Sequence, residues 1–182
     1  MLRYLKGTSS YKFKFGSGIM NYDPNAKSVI VGYSDSNYGA DTGDRKSVSG
    51  TLVELNGDII SWMSKGQTGV AGSTCEAEYV AMYKCRQDIL FIRNVLKSIG
   101  VIVEQKSRLF CDNRAALIIA EANVNHDRTK HIDIKYHAIR DDIRKEIIKV
   151  EWISSELNIA DIFTKALPVD RYKKLRDKLL QK

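Results

Sequence analysis

Four acidic side chains stand where a solvated carboxylate is not the obvious reading. Asp35 ends the β-branched stretch Lys27–Asp35 and alternates onto one face with Val31 and Tyr33. Asp112 closes the short apolar run Arg108–Asp112 just before a helical pattern. Glu78 lies in the first turns of a helix that opens Ser73-Thr-Cys-Glu76-Ala-Glu78. Ser73 and Glu76 form an S-x-x-E capping box, which gives Glu76 a structural task. Glu78 lies about 200° further round and shares the apolar stripe of Ala81, Met82 and Cys85. A carboxylate aimed at a core face must be paired, protonated or bound to a cation. Asp161 sits between Ala160 and Ile162 in the helical turn after the last strand. Each has a plainer role open to it: turn cap for Asp35, first-turn dipole partner for Glu78, N-cap for Asp112, exposed helical residue for Asp161. Together they form an all-oxygen donor set with no Cys or His required, which selects Mg²⁺ or Mn²⁺ over zinc. His126, His131 and His137 lack a standard zinc spacing, and helix-surface or capping roles suit them better.

Bringing such distant residues together requires a particular order of elements. Lys27–Asp35 carries apolar residues on both faces and reads as a central strand. Val48–Leu55 and Asp58–Ser64 flank Asn56-Gly57, a two-residue hairpin signal, so three strands form an antiparallel meander. A helix over about 74–99 stops at Gly100, with Ile89, Ile92 and Leu96 continuing its stripe. Then follow a strand at 106–112, helices at 113–122 and 131–146, a strand at 147–153, a short helix from Ser155 to near Pro168 and a helix over 169–181. The strand and helix order, βββ-α-β-α-α-β-α, predicts an α/β fold. Its sheet is mixed and five-stranded, with three antiparallel strands and two parallel crossover strands, flanked by helices. The first and fourth strands become neighbours, and the first long helix packs across them.

A chain of 182 residues fits one domain with extensions. It buries about 70% of its unfolded surface, so it needs neither disulfides nor a structural metal. Three widely spaced cysteines read as core thiols in a reducing compartment. The longest apolar run, Ala115–Ala120, falls far short of the roughly 20 residues of a membrane span, and the basic first 15 residues are not a secretory signal. The net charge of +7 is uneven. Residues 1–28 carry five basic side chains and one acidic, and residues 165–182 carry seven and two, around a slightly acidic body. That pattern predicts an acidic, cation-holding site fed by basic flanks, with nucleic acid as the partner. Val169, Tyr172, Leu175 and Leu179 share a helical face, so the tail is expected to dock with its cations outward and to supply non-specific affinity; docking on a polymerase domain, or fraying, without contact to nucleic acid is the alternative.

Seven segments, in order, resemble the ribonuclease H domain of copia-type LTR retrotransposon Pol polyproteins. They are GYSDSNYGAD (32–41), DRKSVSG (44–50), ISWMSKGQ (60–67), STCEAEYVA (73–81), FCDNRAAL (110–117), RTKHIDIKYHAIRD (128–141) and ADIFTKALP (160–168). The resemblance covers about residues 29–168. It implies a ribonuclease H-like domain there, a basic segment 1–28 like the end of the polymerase or connection region, and a basic C-terminal helix, 169–182. It places the metal-binding acids on Asp35, Glu78, Asp112 and Asp161, and it prefers Glu78 over Glu76.

The implied activity is cleavage of the RNA strand of an RNA–DNA hybrid during reverse transcription, with two Mg²⁺ ions (Mn²⁺ able to substitute) and no small-molecule cofactor. In such a mechanism two metals roughly 3.5–4 Å apart activate a water and stabilise the leaving oxygen. Ser36 and Asn113 are candidates for reading the 2′-hydroxyl. Arg45, Lys46, Arg128 and Lys130 are loop cations for phosphates, with ordinary solvated charge as the alternative for each. The implied partner is the reverse transcriptase domain of the same polyprotein. The implied setting is a cytoplasmic virus-like particle or the nucleus, with no membrane. Many relatives place a His before the last Asp; here the loop Ile153–Asp161 has none, and Glu156 and Asn158 are its long polar side chains. A non-catalytic or domesticated module of the same fold that binds hybrid or a polymerase is the alternative.

Overall fold

The computed structural model describes residues 2–13, 15–16, 26–41, 43–122 and 130–180, without the side chains of residues 2, 130–134 and 136. In chain order the elements are α1 (Leu2–Gly7), β1 (Ile30–Asn37), β2 (Val48–Leu55), β3 (Asp58–Gly66) and α2 (Thr74–Ser98). They continue with β4 (Ser107–Cys111), α3 (Arg114–Glu121), α4 (Lys130–Arg144), β5 (Ile148–Trp152), a 3-10 helix (Ile159–Phe163) and α5 (Val169–Leu179). The sheet order is β3-β2-β1-β4-β5. β1–β2 and β2–β3 are antiparallel, whereas β1–β4 and β4–β5 are parallel. This is the mixed five-stranded sheet expected from the order of elements, with β1 at its centre.

The Asn56-Gly57 turn has φ of 53° and 88°, the doubly left-handed pair that matches the strand twist of a tight hairpin. One side of the sheet packs on α2, α3 and α4 through Val53, Met82, Cys85, Ile89, Leu109, Ile139 and Ile148. The other side is thinner: Leu52, Ile59 and Ile159 form its core, with Tyr33, Phe163 and Leu179 against them. Alternation along β2 therefore sends Val53 to one layer and Leu52 to the other.

Two glycines set the spacing of these layers. A Cβ at Gly32 would lie 2.6 Å from Cys85 Sγ and 2.7 Å from Ile89 Cδ1, so α2 rests directly on the β1 backbone. A Cβ at Gly50 would lie 2.7 Å from Thr164 Cγ2 and 2.8 Å from the Ala160 carbonyl, so the 3-10 helix rests on β2 in the same way. Gly50 is the cross-strand partner of Asp35.

Several expectations need correction. The region between Ser155 and Pro168 forms one 3-10 helix, capped by Asn158, whose side chain accepts from the Ala160 N–H. α1 was not foreseen; Tyr4 and Tyr172 share a hydroxyl–hydroxyl bond of 2.6 Å, which ties it to α5. No described helix is long and apolar enough to cross a membrane.

Candidate active site

β1 and β4 run parallel, so their carboxyl ends lie side by side, and there Asp35 and Asp112 emerge. Asp35 is buried at 1% exposure, on the face toward the 3-10 helix. Its Oδ2 accepts a short hydrogen bond from the Thr164 hydroxyl. Asp161, fully buried, enters from the same 3-10 helix. Asp112 is half-buried and accepts from the Ser155 hydroxyl at 2.6 Å. One oxygen each from Asp35, Asp112 and Asp161 lie within 4.8 Å of one another.

Glu78 reaches the cluster from α2. Its Oε1 accepts from the Ser36 N–H at 3.1 Å, and its Oε2 from the Cys111 thiol at 3.7 Å. With Asp112 it belongs to a second group of donor atoms within the same distance limit, so Asp112 links all four acids. Glu76 points away: its Oε2 accepts from the Gly72 N–H at 2.7 Å, while its own N–H donates to Ser73 Oγ. The helix therefore starts in the expected register, with the carboxylate reaching one residue further back than a capping box does.

Electrostatics mark the cluster as unsatisfied by protein alone. Burial, then the Asp161 charge, pushes Asp35 up to about 7. Burial, then the charges of Asp35 and Asp112, pushes Glu78 up to about 8. Two cations from the C-terminal segment offset part of this. Lys165 Nζ lies 3.0 Å from Asp161 Oδ1 and 3.5 Å from Asp35 Oδ2. Arg171 pairs closely with Asp161 Oδ2 and also donates to the Ser155 carbonyl. Burial pulls the Lys165 ammonium down, but Asp35 and Asp161 outweigh it and hold it above its ordinary value. Four carboxylates against two cations leave a net acidic, all-oxygen site, which fits a hard divalent ion; the Lys165 ammonium marks where positive charge is already favourable.

The expected substrate-contact residues divide. Ser36 and Asn113 flank the cluster. The Ser36 hydroxyl is buried and has no hydrogen-bond partner among the described residues. Asn113, and not Asp112, is the N-cap of α3, accepting from the Ala116 N–H at 3.0 Å; Asp112 is thus freed from the capping role open to it in the sequence. Arg45 sits at φ 59° in an exposed loop, and Lys46 pairs with Asp44 beside it. Arg128 and His126 lie outside the described residues, and the side chains of Lys130 and His131 do too. His137 is exposed on α4.

Lys165, Arg171, Ser155 and Thr164 were missed by sequence reasoning. Lys165 stands four residues after Asp161, a spacing that could have been noticed. Arg171 was expected to face outward with the rest of the tail, and the structure corrects this. In the loop without His, Ser155 reaches the acids. Asn158 is buried, donates to the Ser34 carbonyl at 2.9 Å and holds the fold instead.

No protein-family model matches the chain. It is 36% identical over 172 residues to the retrovirus-related Pol polyprotein from transposon TNT 1-94 of Nicotiana tabacum, covering 94% of this chain and 12% of that protein. It is 32% identical over 179 residues to the corresponding RE1 polyprotein of Arabidopsis thaliana, covering 98% of this chain and again 12% of the relative. The chain belongs to the copia-type transposon Pol family. It spans about one-eighth of the length of those Pol relatives.

Solved structures place this Pol segment in the ribonuclease H fold. The N-terminal RNase H domain of a Mycobacterium tuberculosis protein matches with a TM-score of 0.52 at 13% identity, covering 74% of this chain and 95% of that one. RNase H1 of Halobacterium salinarum matches at 0.52 and 14%, covering 74% and 93%. LC11-RNase H1, solved in complex with an RNA/DNA hybrid, matches at 0.53 and 17%, with the same coverage as the Halobacterium protein.

Proposed function

We propose that this Pol segment is an endonuclease that hydrolyses the RNA strand of RNA–DNA hybrids during reverse transcription, using divalent metal ions. The observation that carries the reading is the convergence of Asp35, Asp112 and Asp161 within 4.8 Å, with Glu78 linked through Asp112, at the carboxyl ends of two parallel strands. That a fold relative was solved with a hybrid bound supports the choice of substrate.

Asp35, Glu78, Asp112 and Asp161 would hold two Mg²⁺ ions, with Mn²⁺ able to substitute. When bound, such a pair supplies an activated water and charge stabilisation at the leaving oxygen. The chain's own residues do the rest. The Ser36 N–H fixes the Glu78 carboxylate, and Ser155 fixes that of Asp112. Lys165, which lies against both Asp35 and Asp161, holds the charge of those acids and would give up that place to a bound cation. Ser36 and Asn113, beside the cluster, are the residues proposed to read a ribose 2′-hydroxyl, the group that separates RNA from DNA. Arg45, Lys46, Arg128 and Lys130 are assigned to phosphate positioning. The reverse transcriptase region of the same polyprotein is the proposed protein partner. The proposed setting is the cytoplasmic virus-like particle or the nucleus.

The test is incubation of labelled RNA–DNA hybrid, RNA duplex and DNA duplex with the chain, in Mg²⁺ and in excess chelator. Cleavage of RNA in hybrid alone, abolished by chelator, is expected. Equal cleavage of DNA duplex, or full activity in chelator, overturns the reading. A non-catalytic hybrid-binding module is the second reading, and the observation on its side is that Lys165 and Arg171 already pair with Asp161. Binding without cleavage would select it.

A further inference from the structure

The chain's two tryptophans are both exposed, at opposite edges of the sheet. Trp62, on β3, stacks on Phe13, with ring centroids 5.0 Å apart and planes 20° from parallel. Trp152 closes β5 and stands beside the acids. Its Nε1–H donates to the Asp112 carbonyl at 3.1 Å, which fixes the indole to the backbone of the residue that links the cluster. The Arg114 guanidinium lies over one face of the ring, 4.5 Å from its centroid. Arg114 is itself exposed, at the first position of α3. With one face covered and the N–H edge bonded, the exposure that remains, 46%, belongs to the other face and the outer rim. A lone exposed apolar side chain is ordinary, but a large ring held in one orientation by two polar partners asks for a role.

The surroundings of the ring say what would lie on it. Alternation along β5 sends Ile148 and Val150 into the core, and Trp152 follows on their side at the strand's end, where the core gives way to the site. The charge beside it is a cation, which suits an anionic polymer. The chemistry beside it is the acid cluster, past which that polymer must run. A nucleobase is flat, has a π-face whatever its identity, and stacks on indole and guanidinium alike. Inside a duplex each base is already stacked on both sides, so only an unpaired base, at a strand end or in a single-stranded stretch, is free to use the ring. The N–H anchor fixes the indole beforehand, so little side-chain freedom is lost on stacking.

We propose that Trp152, flanked by Arg114, is a stacking site for one unpaired base of the bound nucleic acid, so that hybrids with a single-stranded end are held in preference to blunt ones. The inference rests on the hybrid-nuclease reading for its polymer, while the choice of a base over a phosphate rests on the ring. Stacking of this kind adds affinity without sequence readout.

The experiment uses the full chain with Trp62→Phe, which keeps a ring against Phe13 and leaves Trp152 as the sole tryptophan. The ligands, titrated in Ca²⁺, are a blunt RNA–DNA hybrid, the same hybrid with a short unpaired RNA tail at either end, and the tailed hybrid with an abasic tail. Tryptophan emission reports on the ring, anisotropy of the labelled ligand gives affinity, and thermal melting checks folding. The tailed hybrid should quench Trp152 and bind about tenfold tighter than the blunt one, and the abasic tail should do neither. Trp152→Leu in the same background should bring the tailed hybrid to within about twofold of the blunt one. Trp152→Phe, which loses the N–H bond but keeps a ring, should retain most of the preference. An abasic tail that binds and quenches as the natural tail does overturns the proposal. So does a folded Leu variant with an unchanged preference, or a Phe variant that loses the preference as fully as the Leu variant. Failure of every hybrid to bind overturns the nuclease reading instead. In that event quenching of Trp152 by single-stranded RNA, absent with an abasic strand, still supports the stacking site, and no quenching removes it as well.

Discussion

Glu78 and Glu76 stand two residues apart on one helix and do different work. Glu78 is buried against Ser36 and Cys111, whereas Glu76 closes the helix start on Gly72. Glu78→Gln is therefore expected to abolish hybrid cleavage, read as product per unit time. Glu76→Gln should keep cleavage and cost about 0.5–2 kcal/mol in denaturant unfolding. A dead Glu76 variant beside an active Glu78 variant would contradict the geometry. Lys165 supports a second expectation. Its ammonium sits where a divalent ion would compete for Asp35 and Asp161. Lys165→Met should tighten Mg²⁺ binding by about tenfold in calorimetry, equivalent to about 1.4 kcal/mol, and lower the melting temperature of the metal-free form. Weaker Mg²⁺ binding would show instead that Lys165 orients the ligands. Asp35, Asp112 and Glu78 were legible because each ends a strand or breaks an apolar stripe, whereas Asp161 stood out through the motif ADIFTK. Lys165 and Arg171 were not legible, because a cation in a basic segment looks the same whether it faces water or turns inward.

At the level of elements, the 3-10 helix positions Asp161, and the absence of a side chain at Gly50 lets it approach Asp35. Gly50→Ala would drive a methyl into Thr164, Ala160 and Phe163. It should cost about 1–3 kcal/mol of stability. It should also weaken Mg²⁺ affinity by separating Asp35 from Asp161, which a purely structural defect elsewhere would not do. Calorimetric titration beside the unfolding curve checks both. The strands and α2 were readable because their hydrophobic periods are long and regular. The single 3-10 turn was not, since Ile159–Phe163 carries too few residues to show a period and owes its form to the Asn158 cap and to packing on β2. The inward turn of Arg171 likewise depends on where α5 docks, and periodicity alone reports only which residues share a face.

For the molecule as a whole, α5 is part of the fold. Leu175 is fully buried, and Arg171 enters the acid cluster. Truncation after Pro168 should therefore destabilise the domain by several kcal/mol, seen as a lower melting temperature, and not merely flatten a salt slope. An unchanged melting temperature would show that the tail does not stabilise the domain. The raised acids also set a pH dependence. Asp35, up to about 7, and Glu78, up to about 8, keep protons in the fold that the unfolded chain has released. Metal-free stability should then be greatest at low pH and fall as pH rises through those values, since the native state binds the extra protons. Saturating Mg²⁺ should restore more stability at about pH 8 than at about pH 5, checked by melting in chelator and in Mg²⁺. A metal-free melting temperature that rises over that range would contradict the assignment.

Asp35 and the Thr164 hydroxyl that contacts it are separated by 129 positions in the chain. A contact of that span closes late, because loop entropy must be met before the contact rewards it. The first strand, the long helix and the fourth strand can all be in place while the cluster still lacks Asp161, Lys165 and Arg171. As the polypeptide leaves the ribosome, no segment ending before residue 161 can present the complete set of acids. The four-acid cluster is therefore assembled in one step, once the 3-10 helix has emerged, and not by gradual growth. Pulse-labelled nascent chains, sorted by length, should acquire divalent-ion protection in a single step as the last helix docks.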